Sequence, residues 1–170
     1  MDKLDIIRSK IFDPKHLMRQ LVAWRFLGKK IVFTNGCFDI LHQGHIEYLA
    51  KAADYGDILI VGLNTDESVK RIKGTSRPVQ GEDSRALIMA SLHVVSAVVL
   101  FNEETPYNLI KKIQPDILVK GGDYKIENIV GYDIVSAKGG QVISIEFLKG
   151  FSTSSILAKL GSTAKQNGQS

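Results

Sequence analysis

Short apolar runs alternate with amphipathic stretches along most of this chain. Lys30–Thr34 (KIVFT), Asp57–Leu63 (DILIVGL), Ala97–Phe101 (AVVLF), Asp116–Val119 (DILV) and Gln141–Ile145 (QVISI) are β-branched or aliphatic at consecutive positions. A strand with one wet face would alternate apolar and polar residues. Continuous runs of this kind predict parallel strands covered by helices on both faces. Between them the apolar period lengthens to that of a helix. Ile46, Leu49, Ala50 and Ala53 share one face, with Gly56 as a stop signal. Asp83–Leu92 opens on an N-cap residue, and Thr105–Ile113 has Thr105 as cap and Pro106 at the first helical position. Pro14–Leu27, stopped by Gly28, is expected to pack on the outside, and Ser152–Leu160 forms a last helix.

This order predicts an α/β protein: a three-layer, Rossmann-like, doubly wound sheet of about five parallel strands in a single domain. Residues 1–28 read as an N-terminal helical extension and 29–160 as the main domain. Residues 161–170, polar and rich in Gly, Gln, Asn and Ser, read as a flexible tail.

Composition narrows the function. With 170 residues, 44% hydrophobic and 24% charged, the chain can bury one sizeable core and is not intrinsically disordered. No apolar run approaches the ~18 residues of a membrane span, and the first residues carry charges throughout, so no signal peptide is read. The single cysteine, Cys37, excludes an internal disulfide. It fits a cytoplasmic protein. Four histidines and one cysteine cannot make a zinc-finger cage. The net charge of +4 suits a phosphate-bearing ligand, but the cations are scattered, without the block that marks a nucleic-acid arm. Neither G-x-G-x-x-G after a strand nor a P-loop is present, which argues against dinucleotide oxidoreductases and P-loop kinases.

In doubly wound sheets ligands bind at the carboxyl ends of the strands. The first run ends in TNGCFDILHQGH, residues 34–45. Gly36 permits a tight turn, after which the amides near Cys37 and Phe38 can face an anion. His42 and His45 lie three apart at the mouth of the next helix, on one face and beside the positive end of its dipole. Gly44 between them leaves space for a phosphate. Two surface histidines are the bland alternative, but G-x-F-D placed directly after a buried strand weighs against it. A metal site is a third reading, with Asp39 as the only further ligand close in sequence. A thiol hydrolase using Cys37 and His42 lacks a clear orienting group. A nucleotide-sensing module without turnover is disfavoured by the intact histidine pair.

Gly36-x-Phe38-Asp39 followed by His42-x-Gly44-His45 resembles the signature of the HxGH nucleotidyltransferase superfamily. Together with GLNTDESVKRIKG, RPV, NEETP, PDILVKGGDY, Val130-Gly131 and the stretch Gly150 to Ser154, it is similar to the D-glycero-β-D-manno-heptose 1-phosphate adenylyltransferases of lipopolysaccharide-core synthesis. The likeness runs from Lys29 to Leu160. It implies transfer of AMP from ATP to a sugar 1-phosphate, giving ADP-heptose and pyrophosphate. The alternative is a cytidylyltransferase acting on another sugar- or polyol-phosphate such as glycerol 3-phosphate.

The resemblance also implies residue roles. His42 and His45 would contact the ATP phosphates, and Lys73 would reach the triphosphate unless it is only a solvated lysine. Gly36, Cys37, Phe38, Asp39 and Gly44 would hold the nucleotide, with Asp39 more a buttress of the turn than a reactant. Lys120, Gly121, Gly122 and Asp123 would border the nucleotide, or form a plain glycine turn. Ser152, Thr153 and Ser154 would make a second anion site at a helix start, or a simple cap. Asn64 and Asp66 would face the acceptor sugar, although Asp66 equally reads as an N-cap. Arg85 would contact substrate, or else pair with Glu82 or Asp83. Mg²⁺ is expected to arrive with ATP and not in a protein cage. A homodimer and a separate upstream sugar kinase are further expectations. Ser96 departs from the pattern, since relatives commonly carry Asp there. His93 is expected to be a partly buried residue at a helix end.

Overall fold

All five expected strands form, and a sixth joins them. The computed structural model describes residues 2–146 together with 150, 153, 156 and 157. Its strands are β1 (Ile11–Phe12), β2 (Ile31–Gly36), β3 (Ile58–Asn64), β4 (Ala97–Phe101), β5 (Ile117–Gly121) and β6 (Gln141–Ile145). They pair in the order β1-β4-β3-β2-β5-β6, every pair parallel. The helices are α1 (Lys3–Arg8), α2 (Pro14–Phe26), α3 (Gln43–Ala53), α4 (Asp66–Lys73), α5 (Glu82–Ser91), α6 (Tyr107–Ile113) and α7 (Tyr132–Ala137), with a 3-10 turn at Ile126–Asn128.

The continuous apolar runs are explained by the two cores they feed. Ile31 and Phe33 of β2 point to one face, where they meet Leu17 and Leu21 of α2, Leu109, Ile110 and Ile113 of α6 and Val135 of α7. Val32, between them, points to the other, with Leu49 and Ala52 of α3 and Ala86, Met89 and Ala90 of α5. In β2 to β5 most residues are therefore buried whichever way they face, the condition for a helix–sheet–helix sandwich, while the edge strands β1 and β6 are only partly covered.

Several expectations are corrected. Residues 1–28 are not wholly helical, because Ile11–Phe12 pairs with β4 through Ile11–Val98 and Phe12–Val99. Two residues carry no detectable period, so the strand could not be read locally. Helix α2 packs against the outside of the sheet, with Leu17 and Leu21 buried on its inner face and Val22 and Phe26 exposed. The packed face of α3 is Gly44, Tyr48, Leu49 and Ala52. Ile46, expected there, is 41% exposed. Caps also shift. Thr65 caps α4 by accepting from the Ser68 amide, Gly81 precedes α5 and Pro106 precedes α6, so Asp66, Asp83 and Thr105 are not N-caps. His93 is exposed. The expected tail, 161–170, lies outside the described residues, as does most of Ser152–Leu160.

Candidate active site

The chain lays β2, β3 and β4 in one direction across the sheet and β5 and β6 in the other. The order therefore reverses between β2 and β5, and the crevice above their carboxyl ends is where a doubly wound sheet binds ligand. A cavity of about 560 Å³ opens there, within the ordinary range for a nucleotide-sized site. Its floor is Asn35, Gly36 and Cys37 from β2 and its turn, Asn64 from β3, and Lys120 and Gly121 from β5. His45 and Tyr48 of α3, Ile72 and Lys73 of α4, and Glu104 to Pro106 form one side. Tyr124, Asn128, Ile129 and Val130 form another.

A buried polar frame shapes the turn after β2. Asp39 accepts from Arg77 Nε at 2.7 Å, from the Val79 amide at 2.8 Å and from the Gln80 amide at 3.0 Å. Burial alone would raise its pKa, but the Gln80 and Val79 amides and the Arg77 guanidinium outweigh it and hold the carboxyl below the usual range. The Gln80 side chain donates back to the Asp39 carbonyl at 2.9 Å. Arg85 is fully buried. It donates to the Cys37 carbonyl at 2.7 Å, the Gln80 carbonyl at 2.9 Å and Asp66 Oδ1 at 2.7 Å. This frame decides where three of the expected residues stand. Arg85 lies beneath the site with its donors taken by the turn. Asp66 is its partner and is absent from the cavity wall. Asp39 lines the cavity but acts as the buttress, with both oxygens occupied, so it is not a third metal ligand beside the histidines.

Phe38 takes a left-handed backbone conformation with φ of +42°. Its ring folds back over Gly36, where an added Cβ would come within 2.9 Å of it. That close approach, together with the turn, is why glycine stands at position 36. The Phe38 ring then meets His45 edge-on, with centroids 5.2 Å apart. Tyr48 fixes the start of α3 across the switch point. Its hydroxyl lies 2.5 Å from Thr34 Oγ1 on β2 and donates to the Val119 carbonyl of β5 at 3.2 Å.

The two histidines come together as the spacing predicts. Their rings stack with centroids 3.8 Å apart and an interplanar angle of 20°. His45 is in the cavity wall, and His42, the residue before α3, backs it. Burial, then the charges of His42 and Lys73, lower the His45 pKa to about 4. Burial also lowers that of His42. At neutral pH His45 is therefore an uncharged imidazole, a rigid N–H donor at a helix start. Lys120 donates from Nζ to Asn35 Oδ1 at 3.3 Å, and burial pulls its ammonium below the usual lysine range.

The other expected residues divide. Asn64 faces the cavity, with its amide donating to Ser68 Oγ at 2.9 Å and Cys37 Sγ lying 3.9 Å from its oxygen. Thr153 is in the wall, its hydroxyl 3.5 Å from the Ile40 carbonyl. Ser152 and Ser154 lie outside the described residues. Gly44 is buried in α3, and Gly122 and the exposed Asp123 are not in the wall. Among the described residues, no group of three or more His, Cys, Asp or Glu could hold a metal. Ser96 accepts from the Leu59 amide at 3.1 Å, at the far end of β3 from the cavity. Residues without an expected role include Arg77, Gln80, Tyr124 and the Glu104–Pro106 wall. Arg77 and the Glu104–Pro106 wall lie in the RPV and NEETP segments and Tyr124 ends the KGGDY segment, all visible in sequence without a role stated for these residues, while Gln80 lay outside them.

Comparison with known proteins places the family of the chain. A family model described as cytidylyltransferase-like matches residues 33–158. Bifunctional protein HldE of Citrifermentans bemidjiense is 57% identical over 152 residues, 89% of this chain and 31% of that protein. HldE of Wolinella succinogenes is 56% identical over 153 residues, 90% of this chain and 31% of that one. The chain thus spans about three tenths of the length of these curated relatives. Among solved structures, a lipopolysaccharide core biosynthesis protein from Thermoplasma volcanium aligns with a TM-score of 0.59 and 31% identity, covering 73% of this chain and 100% of that one. Pantoate-β-alanine ligase from Francisella tularensis, at 19% identity, 82% and 67% coverage and a TM-score of 0.54, shares the fold alone. With the matched segment running from β2 past β6 and carrying the stacked His42–His45 pair, the chain belongs to the cytidylyltransferase-like family of HxGH nucleotidyltransferases.

Proposed function

We propose that the protein transfers AMP from ATP to a sugar 1-phosphate, D-glycero-β-D-manno-heptose 1-phosphate, releasing pyrophosphate and ADP-heptose. The observation that carries this reading is the neutral, half-buried His45, stacked on His42 at the start of α3 and facing a cavity that Lys73 and Lys120 also line. Such a site supplies donors for growing negative charge. A phosphate oxygen of the sugar 1-phosphate attacks the α-phosphorus of ATP in line. The bond from that phosphorus to the bridging oxygen breaks, and its electron pair leaves with pyrophosphate. The attacking oxygen is already an anion, so no base removes a proton.

The chain's own task is then positioning and charge stabilisation. His45 N–H and the free amides at the start of α3 meet the charge developing at the α-phosphoryl oxygens. Lys73, at the end of α4, holds the departing phosphates. Lys120 is a desolvated cation on the opposite strand. Mg²⁺ bound with ATP would neutralise the triphosphate, held by phosphate oxygens and water. Excess chelator should abolish turnover. The lipopolysaccharide-core name of the Thermoplasma structure supports the heptose assignment.

The family's description favours a second reading, cytidylyl transfer to a polyol phosphate. Pyrophosphate release from ATP and CTP against a panel of sugar 1-phosphates and glycerol 3-phosphate separates the two. Faster turnover with ATP and the heptose phosphate is expected, and equal or faster turnover with CTP overturns the proposal.

A further inference from the structure

We propose that Tyr124 is the stacking platform for the nucleobase, so that the purine of ATP lies against its ring at the rim of the cavity. The inference rests on the nucleotidyl-transfer reading and assigns that site a residue for base recognition. Tyr124 follows β5 and lines the cavity while remaining 50% exposed. Its hydroxyl makes no hydrogen bond among the described residues, so the ring is held by the turn and not by its polar end. Its position is built. Gly122 has φ of +126°, and a Cβ there would come within 2.5 Å of the Tyr124 ring. The Gly122 amide donates to the Ile145 carbonyl at 2.9 Å, which ties the turn to the end of β6. The Ser144 hydroxyl accepts from the Tyr124 amide at 3.4 Å and donates to the Gly122 carbonyl. Glycine at 122 is thus the condition for the ring to lie where it does.

The surrounding wall decides which ligand part belongs there. Leu118, Ile129 and Val130 share the cavity with Tyr124 and are apolar, with Asn128 the one polar side chain on that side. The phosphate donors His45 and Lys73 come from α3 and α4 instead. A heptose carries hydroxyls around its ring, and with Asn128 as the one polar side chain on the Tyr124 side most of them would be left unpaired. A purine has two apolar faces and stacks on an aromatic ring without needing a hydrogen bond, a contact whose loss weakens binding about 5- to 150-fold.

The test uses Tyr124→Ala, Tyr124→Phe and Tyr124→Trp in the full chain. Tyr124→Ala should raise KM for ATP about 5- to 150-fold with little change in kcat and in melting temperature, and Tyr124→Phe should restore it. In Tyr124→Trp, emission measured against the unsubstituted protein should be quenched by ATP, and not by inorganic tripolyphosphate or by the heptose 1-phosphate alone. An unchanged KM for ATP in Tyr124→Ala overturns the proposal while leaving adenylyl transfer intact. Quenching by the heptose phosphate alone overturns it too, because the ring would then serve the acceptor. If calorimetry finds no ATP binding to the unsubstituted protein, the underlying nucleotide reading fails and this inference with it.

Discussion

Two groups of charged side chains lie around the same turn and differ in how they are satisfied. Asp39 with Arg77, and Asp66 with Arg85, are partners 38 and 19 residues apart in sequence. The two carboxylates and the Arg85 guanidinium are largely consumed by these pairings and by the Val79 amide and the Cys37 and Gln80 carbonyls, whereas Arg77 binds Asp39 through Nε and its buried Nη2 has no partner among the described residues. His45, Lys73 and Lys120 instead face the cavity. His45 and Lys120 have pKa values lowered by burial, and neither has a carboxylate partner among the described residues. The first group spends its charge on holding a backbone shape. The second keeps desolvated donors directed at a cavity, where an anion would complete them. Partner saturation, more than residue type, separates scaffold from chemistry here.

The comparison breaks most sharply at Asp39. Its side chain is 1% exposed and pairs with Arg77. Removing one member of a buried pair costs about 3–5 kcal/mol, so Asp39→Ala should lower unfolding free energy by that order in urea denaturation. A small stability change with a selective loss of turnover would move Asp39 into the reacting group. The histidines should behave oppositely. His42→Ala and His45→Ala are each expected to lower kcat by about 10²–10³ with the melting temperature nearly unchanged. Because the stacked rings serve one developing charge, the double variant should lose less than the product of the singles. Full activity in either single variant, or a large melting shift, would place that histidine in the scaffold.

A pH titration sharpens the same contrast. The folded-state pKa of His45, about 4, lies below the ordinary imidazole value of 6.5. The unfolded chain therefore binds a proton first as pH falls. Stability of the unliganded protein should drop from about pH 6.5 and level off with respect to His45 below about 4. His42, also lowered, adds in the same direction. Inorganic pyrophosphate should reduce the drop by stabilising the imidazolium, and His45→Ala should flatten it. A pH-independent stability across that window in the unsubstituted protein would contradict the neutral, buried imidazole. The smallest effect is expected at Ser96. Its hydroxyl accepts from the Leu59 amide, so Ser96→Ala should cost about 0.5–1.5 kcal/mol and leave kcat/KM unchanged. A changed kcat/KM would connect this far end of β3 to the site.

By itself the sequence determined the features that depend on neighbours along the chain. Runs such as AVVLF and ILIV are apolar at successive positions, and a strand of that kind must be covered on both faces. That requirement alone leads to the layered parallel sheet. Gly36, Phe38, His42 and His45 lie within ten residues of one another, so the turn, the helix start and the stacked pair were legible together. Tertiary structure decided what depends on distant partners. Ile11–Phe12 becomes a strand only because β4 offers an open edge. Arg85 reads as a surface or substrate cation until the Cys37 carbonyl, 48 residues away, and Asp66 close over it. Tyr124 is one exposed aromatic in a glycine-rich turn until β6 and Gly122 set its ring at the cavity rim. Periodicity is a property of one segment, whereas the burial and pairing of a charge are properties of everything packed around it, and these only the assembled fold supplies.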